Sequence, residues 1–182
     1  MPETVYQLKI TLDNLEPPIW RRVQVEDCTL ADLHAVIQLC MGWQNSHLHM
    51  FDIAGEQYSD PEMGGDSDDL STHSESLAHL VDQGYRTFRY TYDFGDSWEH
   101  TVEAEDELPA EPKVKYPRCV EGKRACPPED CGGPWGYPAF LEAIQNPKHE
   151  EHAEMLEWVG GKFDPEKFSA AAVNKDMRKS FK

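Results

Sequence analysis

The stretch RTFRYTYDFGDSWEHTVEAE, residues 86–105, decides the fold. In its first half Phe88, Tyr90 and Tyr92 alternate with polar residues. In its second, Trp98, His100, Val102 and Ala104 alternate with Glu99, Thr101, Glu103 and Glu105. A period of two is that of a strand buried on one face, and Asp93 to Ser97, with Gly95 inside, has the length and composition of a hairpin loop. The reading is an antiparallel hairpin with Trp98 and His100 turned inward.

Working outward, residues 5–13 place Tyr6, Leu8, Ile10 and Leu12 on one face, and Ile19, Val23 and Val25 share a side after the break at 14–18. Two such neighbours pair as an antiparallel unit. Thr29 with Asp32 three residues on is a capping signature, and Leu30, Leu33, Ile37 and Cys40 follow at helical spacing up to Gly42, so 29–41 is a helix. Residues 47–53 return to period two, with His47, His49, Phe51 and Ile53 on one side. The stretch 59–76 is an acidic surface loop without the spacing of a calcium loop, and 76–83 is a short helix stopped by Gly84. Between Leu108 and Pro138 stand seven prolines and four glycines, which exclude a helix or a central strand there. Helices follow at 137–145, 150–159 and 165–173, the last opened by Asp164. Hairpins first and helices last define an α+β fold, a roll-like antiparallel sheet packed with an N-terminal helix and C-terminal helices. The chain of 182 residues is read as a single domain at 4–174 with a short basic tail at 175–182.

The net charge of −17 is unevenly spread. Residues 52–111 hold 17 acids against Arg86 and Arg89, whereas 113–124 hold Lys113, Lys115, Arg118, Lys123 and Arg124 against Glu121. Coating a duplex needs clustered cations, so nucleic acid is not an expected partner, and the inversion reads as an internal clasp or two solvated faces. No apolar run approaches the roughly 20 residues of a membrane span, and the first ten residues have no leader pattern. The expectation is a cytoplasmic protein with no membrane partner. Five cysteines without a leader imply reduced thiols, with Cys28 and Cys40 in the core.

The runs YDFGDSWEH at 92–100 and GKRACPPEDCGGPWGY at 122–137 resemble the plasmid pRiA4b ORF-3-like family. Gly42-Trp43 before His47-Leu48-His49, Ile19 to Arg22, and Phe163-Asp164-Pro165 before Phe168 are also similar to it. The resemblance covers 5–174. It implies a compact α+β, roll-like domain carried on plasmids, mobile elements and ordinary genomes, and no particular reaction.

Three groups of side chains carry chemistry. Cys119, Cys126 and Cys131, with His100 as a fourth donor, offer a zinc staple for the Pro/Gly-rich segment. Their separations exceed the usual knuckle spacing, so packed thiols are the favoured reading. His47 and His49, about 6.5–7 Å apart along one strand face, could chelate a cation with His100 and with Asp93 or Asp96; imidazoles packed on Phe51 and Trp98 are the favoured alternative. Glu129 and Asp130, set between prolines and glycines, could serve acid–base chemistry or close a turn. Two functions stay open. One is a non-catalytic binding or interaction module for a protein or small molecule, using Asp93, Asp96, Trp98, Glu129, Asp130 and Trp135. The other is a metal-dependent hydrolase centred on His47, His49 and His100. Zinc is the one cofactor for which the sequence supplies candidate ligands.

Overall fold

The computed structural model describes residues 3–182. Its strands are β1 (Thr4–Leu12), β2 (Ile19–Val25), β3 (His49–Ile53), β4 (Glu56–Ser59), β5 (Leu70–Ser71), β6 (Thr87–Tyr92), β7 (Trp98–Pro109) and β8 (Arg118–Lys123). Its helices are α1 (Leu30–Met41), α2 (Leu77–Asp82), α3 (Gly133–Gln145), α4 (His152–Trp158) and α5 (Ala170–Ser180). The strands form one sheet in the order β5-β4-β3-β6-β7-β1-β2-β8, antiparallel except between β4 and β5. The chain is an α+β single domain.

The β6–β7 hairpin sets Tyr90 opposite His100 and Tyr92 opposite Trp98, and all four are buried. Aromatic cross-strand pairs of this kind stabilise a sheet beyond their buried area. Helix α1 lies over this face. Thr29 Oγ1 accepts from the Asp32 amide at 3.1 Å while the Thr29 amide donates to Asp32 at 3.2 Å, a reciprocal cap. Gly42, at φ 106°, ends the helix in the left-handed region and donates to the Gln38 carbonyl. The helix reaches β6 through His34 and Gln38, both on the Tyr90 hydroxyl, and β2 through Arg21, whose Nε donates to the Cys40 carbonyl at 2.8 Å.

Several sequence expectations are corrected. His47 precedes β3 and does not share its buried face. The Pro/Gly-rich segment contains β8, an edge strand paired with β2, which is compatible with prolines because one side of an edge needs no ladder bonds. Asn174 on α5 clamps that edge: its Nδ2 donates to the Cys119 carbonyl and its Oδ1 accepts from the Cys119 amide, both at 2.7 Å. Helix α3 begins at Gly133, not Tyr137, because Pro134 falls in the first turn, where no amide is required. Helix α5 begins at Ala170 and not at Pro165. Ser169 caps it by accepting from the Ala172 amide, whereas Asp164 caps only a local turn. The supposed tail is the second half of α5, with Met177 buried in the core.

The basic segment is partly clasped. Arg118 pairs with Glu111 at 2.5 Å and the buried Arg124 with Glu166 at 2.8 Å. No helix among the described residues is long and apolar enough to cross a membrane.

Candidate functional site

Four side chains from three segments converge at one end of β3 and β6: His47 before β3, Asp93 at the start of the β6–β7 loop, and Glu129 with Asp130 just before α3. His47 Nε2 lies 2.8 Å from Asp130 Oδ1, 3.5 Å from Asp93 Oδ2 and 3.6 Å from Glu129 Oε2. The short approach of Asp130 does not have hydrogen-bond geometry; Nε2 is buried and without a hydrogen-bond partner. The 2.8 Å separation therefore brings the two atoms together without a hydrogen bond between them. Among the described residues, the group of His, Cys, Asp or Glu donors lying within 4.8 Å of one another is His47, Asp93 and Asp130.

Local backbone explains the convergence. Asn45, Asp93, Ser97 and Asp130 all have positive φ, between 53° and 60°. Asn and Asp tolerate this left-handed region better than other residues with a Cβ, and such strain concentrates where a side chain must be re-aimed. Asp93 Oδ1 accepts from the amides of Gly95 at 3.0 Å and Asp96 at 3.3 Å, which leaves Oδ2 turned to His47. The Asp93 amide donates to the Leu48 carbonyl at 2.9 Å, tying the loop to the histidine segment. Trp43 Nε1 donates to the Pro127 carbonyl at 3.2 Å and so holds the third segment against the end of α1. Gly133, at φ 70°, presses on the hairpin loop: a Cβ there would stand 2.1 Å from the Asp96 carbonyl oxygen. A side chain at this position would force the two acidic segments apart.

Glu129 is held from behind. Its carboxylate accepts from the Gln44 amide at 2.8 Å and from the Tyr92 hydroxyl at 3.0 and 3.1 Å, and that hydroxyl in turn accepts from the Ser46 amide at 2.9 Å. Burial and the adjacent carboxylate raise the Tyr92 pKa, so the hydroxyl stays a donor. The side chains of Asp93 and Glu129 are 10 % and 20 % exposed, and that of Asp130 is 64 % exposed. The cluster therefore opens to solvent on the Asp130 side.

Beneath it runs a closed hydrogen-bond ring. Gln38 Nε2 donates to the Tyr90 hydroxyl at 3.0 Å, and that hydroxyl meets His34 Nδ1 at 2.7 Å. His34 Nε2 meets Asn45 Oδ1 at 2.8 Å, and the Asn45 amide donates back to Gln38 Oε1 at 2.8 Å. Because Asn45 Oδ1 only accepts, His34 carries its proton on Nε2 and receives the Tyr90 proton at Nδ1. Each member donates once around the ring. The ring supports the left-handed Asn45 that turns the chain towards His47.

The structure separates the three histidines that the sequence grouped. His49 is buried and stacks face to face on His34, ring centroids 3.4 Å apart at 7°. His100 is buried in the sheet, donating from Nδ1 to the Tyr90 carbonyl at 3.2 Å, with Trp43 edge-on at 5.2 Å. Burial holds both far below the ordinary histidine range, His49 at about 3 and His100 at about 4. Cys119, Cys126 and Cys131 form no three-donor group among the described residues, and burial pushes the first up to about 11 and the last to about 12. Trp98 is fully buried and unavailable to a ligand, Trp135 is 86 % exposed, and Asp96 accepts from the Gly132 amide at 3.3 Å without joining the cluster. The burial of Trp98 corrects its expected role as a ligand contact and agrees with the hairpin alternation that turns it inward. The pairing of His47 with Glu129 and Asp130 spans some eighty residues and has no local signal.

His100 predicts an acid response. Its pKa is lowered from 6.5 in the unfolded chain to about 4 in the fold. The unfolded state therefore binds the extra proton first. The stability His100 confers as a neutral group is whole above pH 6.5 and is lost as pH falls towards 4, at about 1.4 kcal/mol per pH unit. Urea denaturation across this range should show a slope smaller by about one proton in His100→Asn than in wild type.

What these observations define is an α+β domain with a histidine–carboxylate cluster at the open end of its sheet. Residues 4–172 match the family described as Plasmid pRiA4b ORF-3-like protein, and the chain belongs to that family. It is 43 % identical over 176 residues to the uncharacterized protein y4hQ of Sinorhizobium fredii (strain NBRC 101917 / NGR234), covering 96 % of this chain and 88 % of that relative. The crystal structure of MM3350, a protein of unknown function from Methanosarcina mazei Go1, matches with a TM-score of 0.86 and 38 % identity, over 94 % of this chain and 98 % of that one. The family, reached above from the motifs around Trp98 and Cys126, is thus established.

Proposed function

We propose that the protein is a cytoplasmic binding module whose histidine–carboxylate cluster holds a divalent first-row cation and, through it, a small ligand. One observation carries this reading: a single ring nitrogen without a hydrogen bond faces one oxygen from each of three carboxylates at 2.8–3.6 Å. Such an arrangement needs positive charge at its centre. Donors about 2.1 Å from one ion stand about 3.0 Å apart in an octahedron and about 3.4 Å apart in a tetrahedron, close to the Nε2–oxygen distances, and the donors that all lie within 4.8 Å of one another are those of His47, Asp93 and Asp130, with Glu129 outside that group. The imidazole favours zinc over calcium or magnesium, whose ligands are oxygens. Tyr92 and Gln44 act behind the ligands by orienting Glu129.

Calorimetric titration with zinc chloride tests the reading. Tyr92→Phe, which removes the hydroxyl from Glu129 and keeps the ring, should weaken zinc binding by about 10- to 100-fold. Unchanged affinity would remove Glu129 from the ligand set.

A metal-dependent hydrolase is the second reading, favoured by the open Asp130 side, where a water could occupy a metal position. Its residues would be His47, Asp93, Glu129 and Asp130; His49 and His100 stand apart. Turnover of ester or phosphoester substrates by the zinc-loaded protein, abolished in His47→Ala, would establish it. Nucleic acid lies outside both readings, because the net charge is −17 and two cations of the basic segment are taken by carboxylates.

A further inference from the structure

We infer that a second site takes a small monocarboxylate with an apolar body, in a cavity of about 520 Å³ between the C-terminal end of α1, the 125–129 segment and residues 159–176. The observation that carries it is Arg21, which lines this cavity and is only 2 % exposed. Its Nε donates to the Cys40 carbonyl at 2.8 Å, and its Nη1 to the carbonyls of Trp20 at 2.9 Å and Lys123 at 3.1 Å. Nη2 stays accessible and has no protein acceptor among the described residues. Among those residues the arginine–carboxylate pairs are those of Arg22, Arg86, Arg118 and Arg124, and Arg21 has none. A buried charge is ordinarily paired, because leaving water is costly for it. The carbonyl end of α1 offers only about half a negative charge. The neighbouring thiols of Cys40, Cys119 and Cys126 add none, since burial pushes each of them up and keeps it neutral. The guanidinium therefore lacks an anion, and the cavity is where one can reach its free edge.

The lining selects the ligand. The Phe168 ring, also on the wall, lies 4.2 Å from Arg21 Cζ and holds the plane of the guanidinium. Leu39, Met41, Val159, Phe163 and Val173 supply an apolar side. The two acids of the wall are engaged elsewhere: Glu129 accepts from the Gln44 amide and the Tyr92 hydroxyl, and Asp176 pairs with Lys179 at 3.0 Å. An ammonium group is repelled by Arg21. A phosphate dianion needs a second deep cation, whereas Lys167 stands at the exposed rim. One carboxylate matches one guanidinium edge. At roughly 30 Å³ for each water-sized unit, the volume admits a ligand of about fifteen heavy atoms. The carboxylate then sits on Arg21 Nη2 and the body of the ligand lies between α1 and α5. Of the cation cluster only Glu129 lines this cavity, and the inference does not depend on a bound metal.

The test uses 4-phenylbutanoate, with 4-phenylbutan-1-ol and 4-phenylbutylamine as neutral and cationic counterparts, and follows the Arg21 guanidinium signals by NMR. EDTA is present throughout, so that no carboxylate can be held through a metal at His47. The carboxylate should bind at least about tenfold more tightly than the alcohol and shift the Arg21 signals, and the amine should not bind. Arg21→Lys, which keeps the charge and loses the fork, should remove about tenfold of the carboxylate affinity. Ala172→Trp, at an exposed position on the wall, fills the cavity, leaves the bonds of Arg21 in place and should abolish binding. It guards against misfolding of the arginine variant. Equal binding of carboxylate and alcohol, no carboxylate binding up to about 10 mM, binding without a shift at Arg21, or binding retained in Ala172→Trp would overturn the inference.

Discussion

Replacing Tyr90 by Ala is expected to lower the free energy of unfolding by about 3–5 kcal/mol, the range for removing a large aromatic side chain from a core. Tyr90 is fully buried, packs on Phe51 at 5.0 Å and His100 at 5.1 Å, and stands opposite His100 in the β6–β7 register. The loss is more than a cavity. Its hydroxyl closes the ring through Gln38, His34 and Asn45, so the Ala variant also strands two buried polar groups on α1. Tyr90→Phe separates the two effects. It keeps the ring and removes the hydroxyl, and should cost about 1–3 kcal/mol, the penalty for unsatisfied buried partners. Urea denaturation measures both. A loss below about 1 kcal/mol in Tyr90→Ala would contradict the placement of this hairpin at the centre of the core.

The hairpin and α1 were legible because each is written in local periodicity: alternation at 88, 90, 92 and 98, 100, 102 for the strands, and Thr29, Asp32 and Gly42 for the helix. The edge strand β8 was not, because its six residues lie among prolines and depend on pairing with β2 and on the Asn174 clamp for their ladder. The start of α5 was missed because Asp164 and Ser169 are both competent caps, and packing of Met177 against the core selects the later one. At the site, His47, Asp93, Glu129 and Asp130 were each marked as chemically able. The sequence joins His47 to Asp93, and Asp93 to Glu129 and Asp130, but not His47 to Glu129 and Asp130, since period two assigns His47 to the face of His49. The left-handed Asn45, held by Gln38 and His34 from a different element, ends that alternation before β3 begins.

Removing His47 should have the largest effect on binding. His47→Ala deletes the nitrogen at the centre of three carboxylates and leaves them facing one another, so zinc affinity should fall by more than about 100-fold, beyond the effect of an outer partner such as Tyr92. Asp93→Asn should act in the same direction. It keeps the oxygen that accepts from Gly95 and Asp96 and replaces the inward Oδ2 with an amide that cannot ligate through its protons. The loop fold is then preserved while a charged ligand is lost. Asp93→Asn also takes one negative charge out of the cluster, so without metal it relieves carboxylate repulsion, whereas His47→Ala leaves all three carboxylates in place.

The most direct measurement is zinc content by elemental analysis after purification without chelator, with calorimetric titration of the stripped protein, in wild type, His47→Ala and Cys119→Ser/Cys126→Ser. The account predicts stoichiometric zinc in wild type and in the cysteine variant, and its loss in His47→Ala. A wild-type protein that takes up no zinc, or zinc retained in His47→Ala and lost in the cysteine variant, would contradict it.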